Sequence, residues 1–130
     1  MVSWVNLLSI GAAGAIGSLC RYGVTLAAVA MPGGSTVYGT LIVNVLGCGL
    51  LGALTALGPA DSEAGQRLML AIRVGFLGSL TTFSTFAGES VDLAGMGRWG
   101  GSTLYVSANL VLGWLAVLLS GTLVREWIQT

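Results

Sequence analysis

Four long apolar segments limit what this chain can fold into more than any other feature. They cover roughly residues 4–30, 37–57, 68–93 and 104–124. About 20 apolar residues in a helix cross the hydrocarbon core of a bilayer. With 55% hydrophobic and only 8% charged residues, the composition is that of an integral membrane protein. We therefore predict a single all-α domain over residues 1–130, with four transmembrane helices in the lipid bilayer.

The N-terminus and the composition argue against several other classes of protein. Met1–Ser3 carries no basic side chain and the first apolar segment is longer than that of a signal peptide, so we expect the mature chain to begin at or near Met1. The chain has no histidine, no phosphate-binding loop, no hydrolytic triad and no basic patch for nucleic acid. We predict neither enzymatic activity nor a nucleic-acid partner.

The basic residues are all arginines, and their distribution leaves the orientation in the membrane open. Four spans put three of them on the side of the N-terminus and two on the other, namely Arg67, Arg73 and Arg125 against Arg21 and Arg98. This difference is too small for the positive-inside rule to decide. One interpretation is a weak preference for both termini in the cytoplasm. The other is dual topology, in which copies insert both ways and pair antiparallel.

A polar run, Thr81–Phe86, interrupts the third apolar segment and carries four hydroxyls and two phenyl rings. In hydrocarbon each polar group must be satisfied within the protein, so a polar cluster at this depth indicates an ion or substrate path. Gly75 and Gly78 just before the run predict a break in the third helix. A break would free backbone carbonyls, which suit a cation.

Polar side chains also line up on helical faces in three of the four segments. Asn44 lies mid-segment in the second, where it can donate to an anion or make an interhelical hydrogen bond. Thr82, Thr85 and Glu89 share a face in the third segment, and Tyr105 and Asn109 share one in the fourth. Donors favour an anion and carbonyls a cation, so spacing alone leaves the sign of the ion open. Four glycine-rich helices cannot enclose a wide pore, which points to a dimer.

Three sequence blocks resemble the Fluc (CrcB) family of fluoride channels, and the resemblance covers nearly the whole chain. They are GAIGSLCRY over Gly14–Tyr22, GTLIVNVLG over Gly39–Gly47, and GFLGSLTTFSTF over Gly75–Phe86. The last block is the most specific. The resemblance implies passive fluoride export through two pores of an antiparallel, dual-topology homodimer. It also implies a structural sodium ion at the dimer centre, bound by the backbone carbonyls of Gly78 and Thr81. We expect the chain as a multi-pass protein in the cell (inner) membrane of a prokaryote.

The resemblance also assigns residues to the ion pathway. The family's pore phenylalanines and asparagine match Phe83, Phe86 and Asn44. Its polar track, acidic pore-end position and first-helix basic residue match Ser84, Thr85, Tyr105, Asn109, Glu89 and Arg21. Ser79 stands where the family usually has glycine, and Gly113 stands where it often has a hydroxyl. Arg73 has no family role, and we expect its side chain to extend toward the membrane interface.

Two other functions remain as alternatives to a channel. A small dual-topology multidrug transporter has the same length and number of spans, but it needs a membrane-embedded acid to exchange protons for cationic drugs. Glu89 is the candidate for that role in this chain. The other alternative is a non-transporting assembly subunit, in which the polar faces serve helix packing only.

Overall fold

The structure, a computed structural model, describes residues 3–130 and is helical almost throughout. Met1 and Val2, the first residues of the predicted domain and its expected start, lie outside the described residues. The elements, in chain order, are α1 (Trp4–Ala30), α2 (Thr36–Ala56), α3 (Glu63–Leu70), a π-helical segment (Ala71–Leu77), α4 (Gly78–Leu80), α5 (Phe83–Gly95) and α6 (Trp99–Gln129). Residues 3–130 contain no β-strand.

Four helical stretches are long and apolar enough to cross a membrane, which confirms the prediction of an all-helical, four-span protein. They are Trp4–Ala30, Thr36–Ala56, Glu63–Gly95 and Trp99–Gln129. The first two agree closely with the predicted segments, and the last two extend further at both ends. With 31 residues, α6 is about 46 Å long, which exceeds the roughly 30 Å hydrocarbon core. Its ends therefore reach into the interfacial regions or the helix tilts.

Serine side chains begin two of the helices. Ser35 accepts a hydrogen bond from the Val37 amide at the start of α2, and Ser62 accepts one from the Gly65 amide at the start of α3. Each serine satisfies one of the amides that a helix leaves unpaired in its first turn. The cap at Ser62 places the start of the third span five residues before the apolar segment that the sequence predicts.

The third span changes its backbone geometry twice within a dozen residues. The π-helical segment follows α3 directly, and such wider turns occur often at functional sites. Thr81 (φ −81°, ψ 154°) and Thr82 (φ −149°, ψ 118°) then adopt extended conformations between α4 and α5. Extended residues inside a helical span leave amides and carbonyls without their usual partners, so other groups must satisfy them.

Glycines allow the third span to pack closely on the first. A Cβ atom added at Gly17 would collide with the carbonyl oxygen of Phe76, so α1 and the π-helical segment approach to backbone contact there. The second close pair is α2 with α6, the most extensive helix contact in the structure. The buried side chains of Val43, Leu77 and Leu80 pack between these elements. This packing fixes α2, α6 and the extended residues relative to one another.

Candidate ion pathway

Three segments meet at the side chain of Asn44. Its Nδ2 donates to the Thr82 carbonyl (3.3 Å) and to Oδ1 of Asn109 (3.0 Å), and its Oδ1 accepts from the Thr82 amide (2.9 Å). Asn109 in turn donates to the Tyr105 carbonyl (3.1 Å). Asn44 thus replaces the helical partners that extended Thr82 has lost, and it links α2 to α6. We call Asn44, Thr82 and Asn109 the junction.

The junction and a cap together change the hydrogen bonding of two backbone carbonyls. In a continuous helix the Thr82 amide would bond to the Gly78 carbonyl, and the Thr85 amide to the Thr81 carbonyl. Here the Thr82 amide donates to Asn44, and the Thr85 amide donates to Thr82 Oγ1 (3.2 Å), which caps α5. The carbonyls of Gly78 and Thr81 are therefore not engaged by their usual helical donors.

One cavity, of about 360 Å³, extends from the junction toward the C-terminal end of α2. We call it the Arg73 cavity. Its lining includes Asn44, Cys48, Leu51, Arg73, Thr82 and Phe83. Phe86, Asn109, Gly78 and Thr81 also line it. Within the described part of the chain, Arg73 is the only charged residue on its wall.

A second cavity, of about 370 Å³, extends from the junction toward the N-terminal end of α2. We call it the Arg21 cavity. Its lining includes Arg21, Thr36, Thr40, Thr82, Thr85 and Glu89. Hydroxyl groups dominate this wall, and it carries one positive and one negative side chain.

The two cavities follow one another along α2, with Thr82 on the wall of both. On α2, Thr40 is the last residue that lines the Arg21 cavity and Asn44 the first that lines the Arg73 cavity. These residues are one helical turn apart, or about 6 Å along the axis. The junction is therefore the narrow division between two spaces that open toward opposite ends of the helix.

Three aromatic rings stand beside the junction in a chain of tilted contacts. The ring centroids of Phe83 and Phe86 are 5.6 Å apart, and those of Phe86 and Tyr105 are 5.5 Å apart. Phe86 is 7% exposed and packs in the core with Leu93, whereas Phe83 is 76% exposed. Tilted rings present edges that carry partial positive charge. The exposed ring of Phe83 is therefore available for contact with any molecule that covers this face of the protein.

The carboxylate of Glu89 is tied to the fourth span. Its Oε2 accepts a hydrogen bond from the Tyr105 hydroxyl at 2.7 Å. Hydrogen bonds to an ionised acceptor are shorter and stronger than those between neutral groups. Glu89 therefore has a fixed donor on one side and the Arg21 cavity on the other.

The chain matches one protein-family model over most of its length. The model described as "CrcB-like protein, Camphor Resistance (CrcB)" matches residues 8–122. This range includes the second and third spans, most of the first and fourth, and the whole junction. The chain belongs to the CrcB family.

Curated members of the CrcB family match over nearly their full length. A "Fluoride-specific ion channel FluC" of Rhodopirellula baltica is 38% identical, with 94% of this chain and 95% of the relative covered. Proteins of the same name from Dehalococcoides mccartyi and Shewanella baltica are 40% and 42% identical, with 93% and 92% of this chain and 95% of each relative covered. The relatives are named as ion channels, a non-enzymatic function, in agreement with the expectation from composition.

The structure brings most of the predicted pathway residues of this CrcB-family chain around the two cavities. Asn44, Phe83, Phe86 and Asn109 line the Arg73 cavity, and Arg21, Thr85 and Glu89 line the Arg21 cavity. Ser84 and Tyr105 line neither cavity among the described residues. Ser84 lies outside the Arg21 cavity with its Oγ 3.4 Å from Thr82 Oγ1, and Tyr105 donates a hydrogen bond to Glu89, which lines that cavity. Of the two roles weighed for Asn44, the geometry displays the interhelical hydrogen bonds, and donation to an anion stays a prediction.

The structure gives three residues a larger part in this site than the sequence patterns indicate. Thr82 appears in the sequence as one member of a helical stripe, but it is the extended residue on which the junction is built. Thr40, one turn before Asn44, is buried and faces the Arg21 cavity. The guanidinium of Arg73, which the sequence predicts to extend toward the interface, binds the Leu54 carbonyl (2.6 Å) in the last turn of α2, and Arg73 lies on the wall of a cavity. A charge inside an apolar span was the signal available for Arg73.

Proposed function

We propose that this chain is a fluoride-selective channel that exports fluoride passively. The observation that carries the proposal is the junction itself, with a cavity on either side and Thr82 on the wall of both. Together the cavities give a continuous route along α2, hydroxyl-lined on one side of the junction and largely apolar with one arginine on the other. The family relatives named as fluoride-specific channels support the choice of ion.

The groups along this route suit a small, strongly hydrated anion. In the Arg21 cavity, the hydroxyls of Thr36, Thr40 and Thr85 can donate hydrogen bonds in place of water. In the Arg73 cavity, ring edges of Phe83 and Phe86 take over where donors are few. Fluoride gains more than chloride from close donors because its charge is concentrated in a smaller radius. Selectivity for fluoride over chloride would follow because these donors replace the water molecules around the ion at short distance.

We infer further that two copies pair antiparallel and form two pores. Phe83 is exposed at the wall of the Arg73 cavity, and the neighbouring Gly78 is exposed as well, so this face is open in a single chain. A second copy related by a twofold axis near Gly78 would cover it and close the route from the side. An axis parallel to the membrane turns the second copy upside down, which requires dual topology.

A tandem fusion tests the antiparallel arrangement. Because one copy has an even number of spans, a direct flexible linker forces two copies into the same orientation, and a linker with one added transmembrane helix forces opposite orientations. We expect fluoride flux only from the tandem with the added helix. Flux from the directly linked tandem alone would contradict the proposal.

We also propose a structural sodium ion at the dimer centre. The carbonyls of Gly78 and Thr81, released from their usual donors, are oxygen ligands of the kind that hard cations bind. With two carbonyls from each copy, four oxygens would surround a twofold axis. The residues therefore fit such an ion, whose positive charge would tie two copies together near the pores.

Thermal unfolding in detergent tests the sodium proposal without measuring transport. A ligand that binds only the folded dimer raises the melting temperature in proportion to the logarithm of its concentration above its dissociation constant. We expect a higher melting temperature in sodium chloride than in choline chloride at equal ionic strength. Equal melting temperatures at all concentrations would contradict a structural sodium ion.

The main experiment is anion efflux from liposomes that contain the purified protein. Fluoride release is recorded after potassium permeability is added to balance the charge, and chloride release is recorded in parallel. We expect rapid fluoride release and chloride release that is slower by at least about 100-fold, or roughly 2.7 kcal/mol of discrimination. Equal release of both ions, or release of neither, would contradict the proposal.

A proton-coupled multidrug transporter is the competing function. It would depend on Glu89, the one acid on the wall of either cavity among residues 3–130. Uptake of a cationic dye driven by a pH gradient, and abolished in Glu89→Gln, would support the transporter. Fluoride flux that persists in Glu89→Gln would support the channel.

A further inference from the structure

Arg73 lies in the π-helical segment and reaches across to α2. Its Nη2 donates to the carbonyl of Leu54, in the last turn of α2. That carbonyl lacks its usual partner, because the Gly58 amide bonds to the Thr55 carbonyl instead (3.3 Å). A guanidinium at a helix C-terminus also interacts favourably with the helix dipole. The simplest role for Arg73 is therefore to cap α2.

Capping of α2 uses only some of the hydrogen-bond donors of the Arg73 guanidinium. Arginine carries five N–H donors, and the Nε of Arg73 is buried with no hydrogen-bond partner among the described residues. Arg73 lies on the cavity wall, and none of the five acidic residues of the chain lines that cavity. Arg73 as a whole is half-buried, and a charge withdrawn from water without a counter-charge carries a cost that an anion in the cavity would lower.

The position of Arg73 along α2 determines what an anion near it would do. Leu54, to which it is bonded, is ten residues beyond Asn44. Ten residues of helix span about 15 Å, so Arg73 lies at the outer part of its cavity and the junction lies at the inner end. In a narrow apolar cleft, a fixed charge focuses its field and raises the local concentration of the opposite ion.

We propose that Arg73 recruits the permeating anion into the Arg73 cavity, as a small-anion site separate from the junction. The inference rests on the proposed channel function. The cap holds the guanidinium in place, and the charge that the cap leaves uncompensated attracts the anion. The Nε of Arg21 is likewise buried without a hydrogen-bond partner among the described residues, but the Arg21 cavity differs in formal charge because the acidic side chain of Glu89 lines the same space.

Charge substitutions at two ionic strengths test this proposal. Fluoride concentration is held constant, and an impermeant salt raises the ionic strength from about 10 mM to about 1 M, which shortens the Debye length from about 30 Å to about 3 Å. We expect Arg73→Gln to lower fluoride flux about three- to tenfold at low ionic strength, with most of the difference lost at high ionic strength. Arg73→Lys should keep most of the flux. The Lys side chain keeps a donor close to Leu54, whereas the Gln amide reaches only as far as the arginine Nε, so the ionic-strength dependence separates the loss of charge from the loss of the cap.

Arg125→Gln is the matched control. It removes the same charge from the same side of the membrane at an exposed position that lines neither cavity. We expect its flux to follow the wild type at both ionic strengths. A loss in Arg73→Gln that is equal at both ionic strengths would indicate capping alone and overturn the proposal, as would no loss at all.

A second pair of variants leaves Arg73 in place and so avoids any folding defect from its loss. Leu51 lines the same cavity one turn before Leu54 and is 40% exposed. Leu51→Glu adds an opposing charge, and Leu51→Gln adds a neutral side chain of equal size. We expect Leu51→Glu to conduct several-fold less than Leu51→Gln at low ionic strength only. Equal flux in the two variants would overturn the proposal, whereas no flux in the wild type would instead contradict the channel function.

Discussion

The Arg73 cavity and the Arg21 cavity are nearly equal in size, at about 360 and 370 Å³, but they differ in chemistry. Leucine side chains and two phenyl rings form much of the first wall, which carries one uncompensated positive charge. Threonine hydroxyls form much of the second, with Glu89 present beside Arg21. Both cavities end at Thr82, so an ion that crosses the bundle meets both environments.

For the proposed channel, the difference corresponds to two ways in which an apolar bundle can stabilise an anion. Hydroxyl groups replace water directly and need no net charge, as in the Arg21 cavity. A fixed charge with few donors acts over a longer distance and depends on ionic strength, as in the Arg73 cavity. Substitutions in one cavity, or at the junction between the two cavities, should therefore separate the two mechanisms.

The largest effect is expected at the junction, which both cavities share. Asn44→Ala removes the partners of the Thr82 amide and carbonyl and of Asn109. Unsatisfied buried polar groups cost about 1–3 kcal/mol each, so we expect a lower melting temperature and a loss of fluoride flux of about 100-fold. Efflux assays and thermal unfolding measure the two. Asn6→Ala is the control, because Asn6 lines neither cavity and loses a single hydrogen bond, from Arg67. Lower stability of Asn44→Ala with normal flux would contradict a role of the junction in conduction, whereas lower stability of the variant with no flux even in the wild type would favour the assembly-subunit alternative.

The next effect concerns the rings of the Arg73 cavity. Phe83 is exposed and Phe86 is buried, so the two substitutions should separate conduction from folding. We expect Phe83→Ile to lower fluoride flux about tenfold with a change in monomer stability of less than about 0.5 kcal/mol. Phe86→Leu should cost about 1 kcal/mol in stability through lost packing. Normal fluoride flux in Phe83→Ile would contradict a role for aromatic ring edges in the Arg73 cavity.

A smaller effect is expected from Gly47, one of two glycines on the wall of the Arg73 cavity among the described residues. A Cβ atom at Gly47 would collide with the Thr81 methyl group, and Thr81 cannot rotate away without losing its hydrogen bond to the Leu77 carbonyl (2.9 Å). We expect Gly47→Ala to cost about 1–2 kcal/mol and to lower flux about threefold. Gly49→Ala is the control, because its Cβ would meet only Ala116 at 4.0 Å. Equal effects of the two variants would contradict a specific role for this contact.

The smallest effect is expected in the Arg21 cavity. Glu89→Gln removes a negative charge but keeps an oxygen that can accept from Tyr105. Because hydroxyls rather than charge dominate this wall, we expect fluoride flux to change by less than about threefold. The same efflux assay, with and without a pH gradient, measures it. A loss of all flux would mean that Glu89 has a direct part in transport and would weaken the contrast between the cavities.

Much of the fold follows from the sequence because it depends on short-range patterns. Runs of apolar residues locate the four spans, and Ser62 marks the start of the third. Helical spacing also places Thr85 and Glu89 on one face, and both do line one cavity. Such patterns depend on neighbours within about one helical turn, which the sequence displays directly.

The junction could not be predicted in the same way. The hydrogen bonds from Asn44 reach residues 38 and 65 positions further along the chain, so they depend on how α2 and α6 pack. Thr82 lines the Arg21 cavity with Thr85 and Glu89, as helical spacing predicts, but its extended backbone and the partners of its amide and carbonyl do not follow from that spacing. Arg73 shows the same limit, because its partner is a backbone carbonyl whose freedom depends on the turn after α2. Long-range contacts and local backbone changes are not encoded in residue spacing.

The central claim is that the route through the junction conducts fluoride in preference to chloride. A planar bilayer with sodium fluoride on one side and sodium chloride at equal concentration on the other tests it directly through the reversal potential. Each tenfold of permeability ratio shifts this potential by about 59 mV. We expect the reversal potential to shift by at least about 118 mV, with fluoride the more permeant ion. A reversal potential near zero, as for a sodium-selective or unselective path, would contradict it.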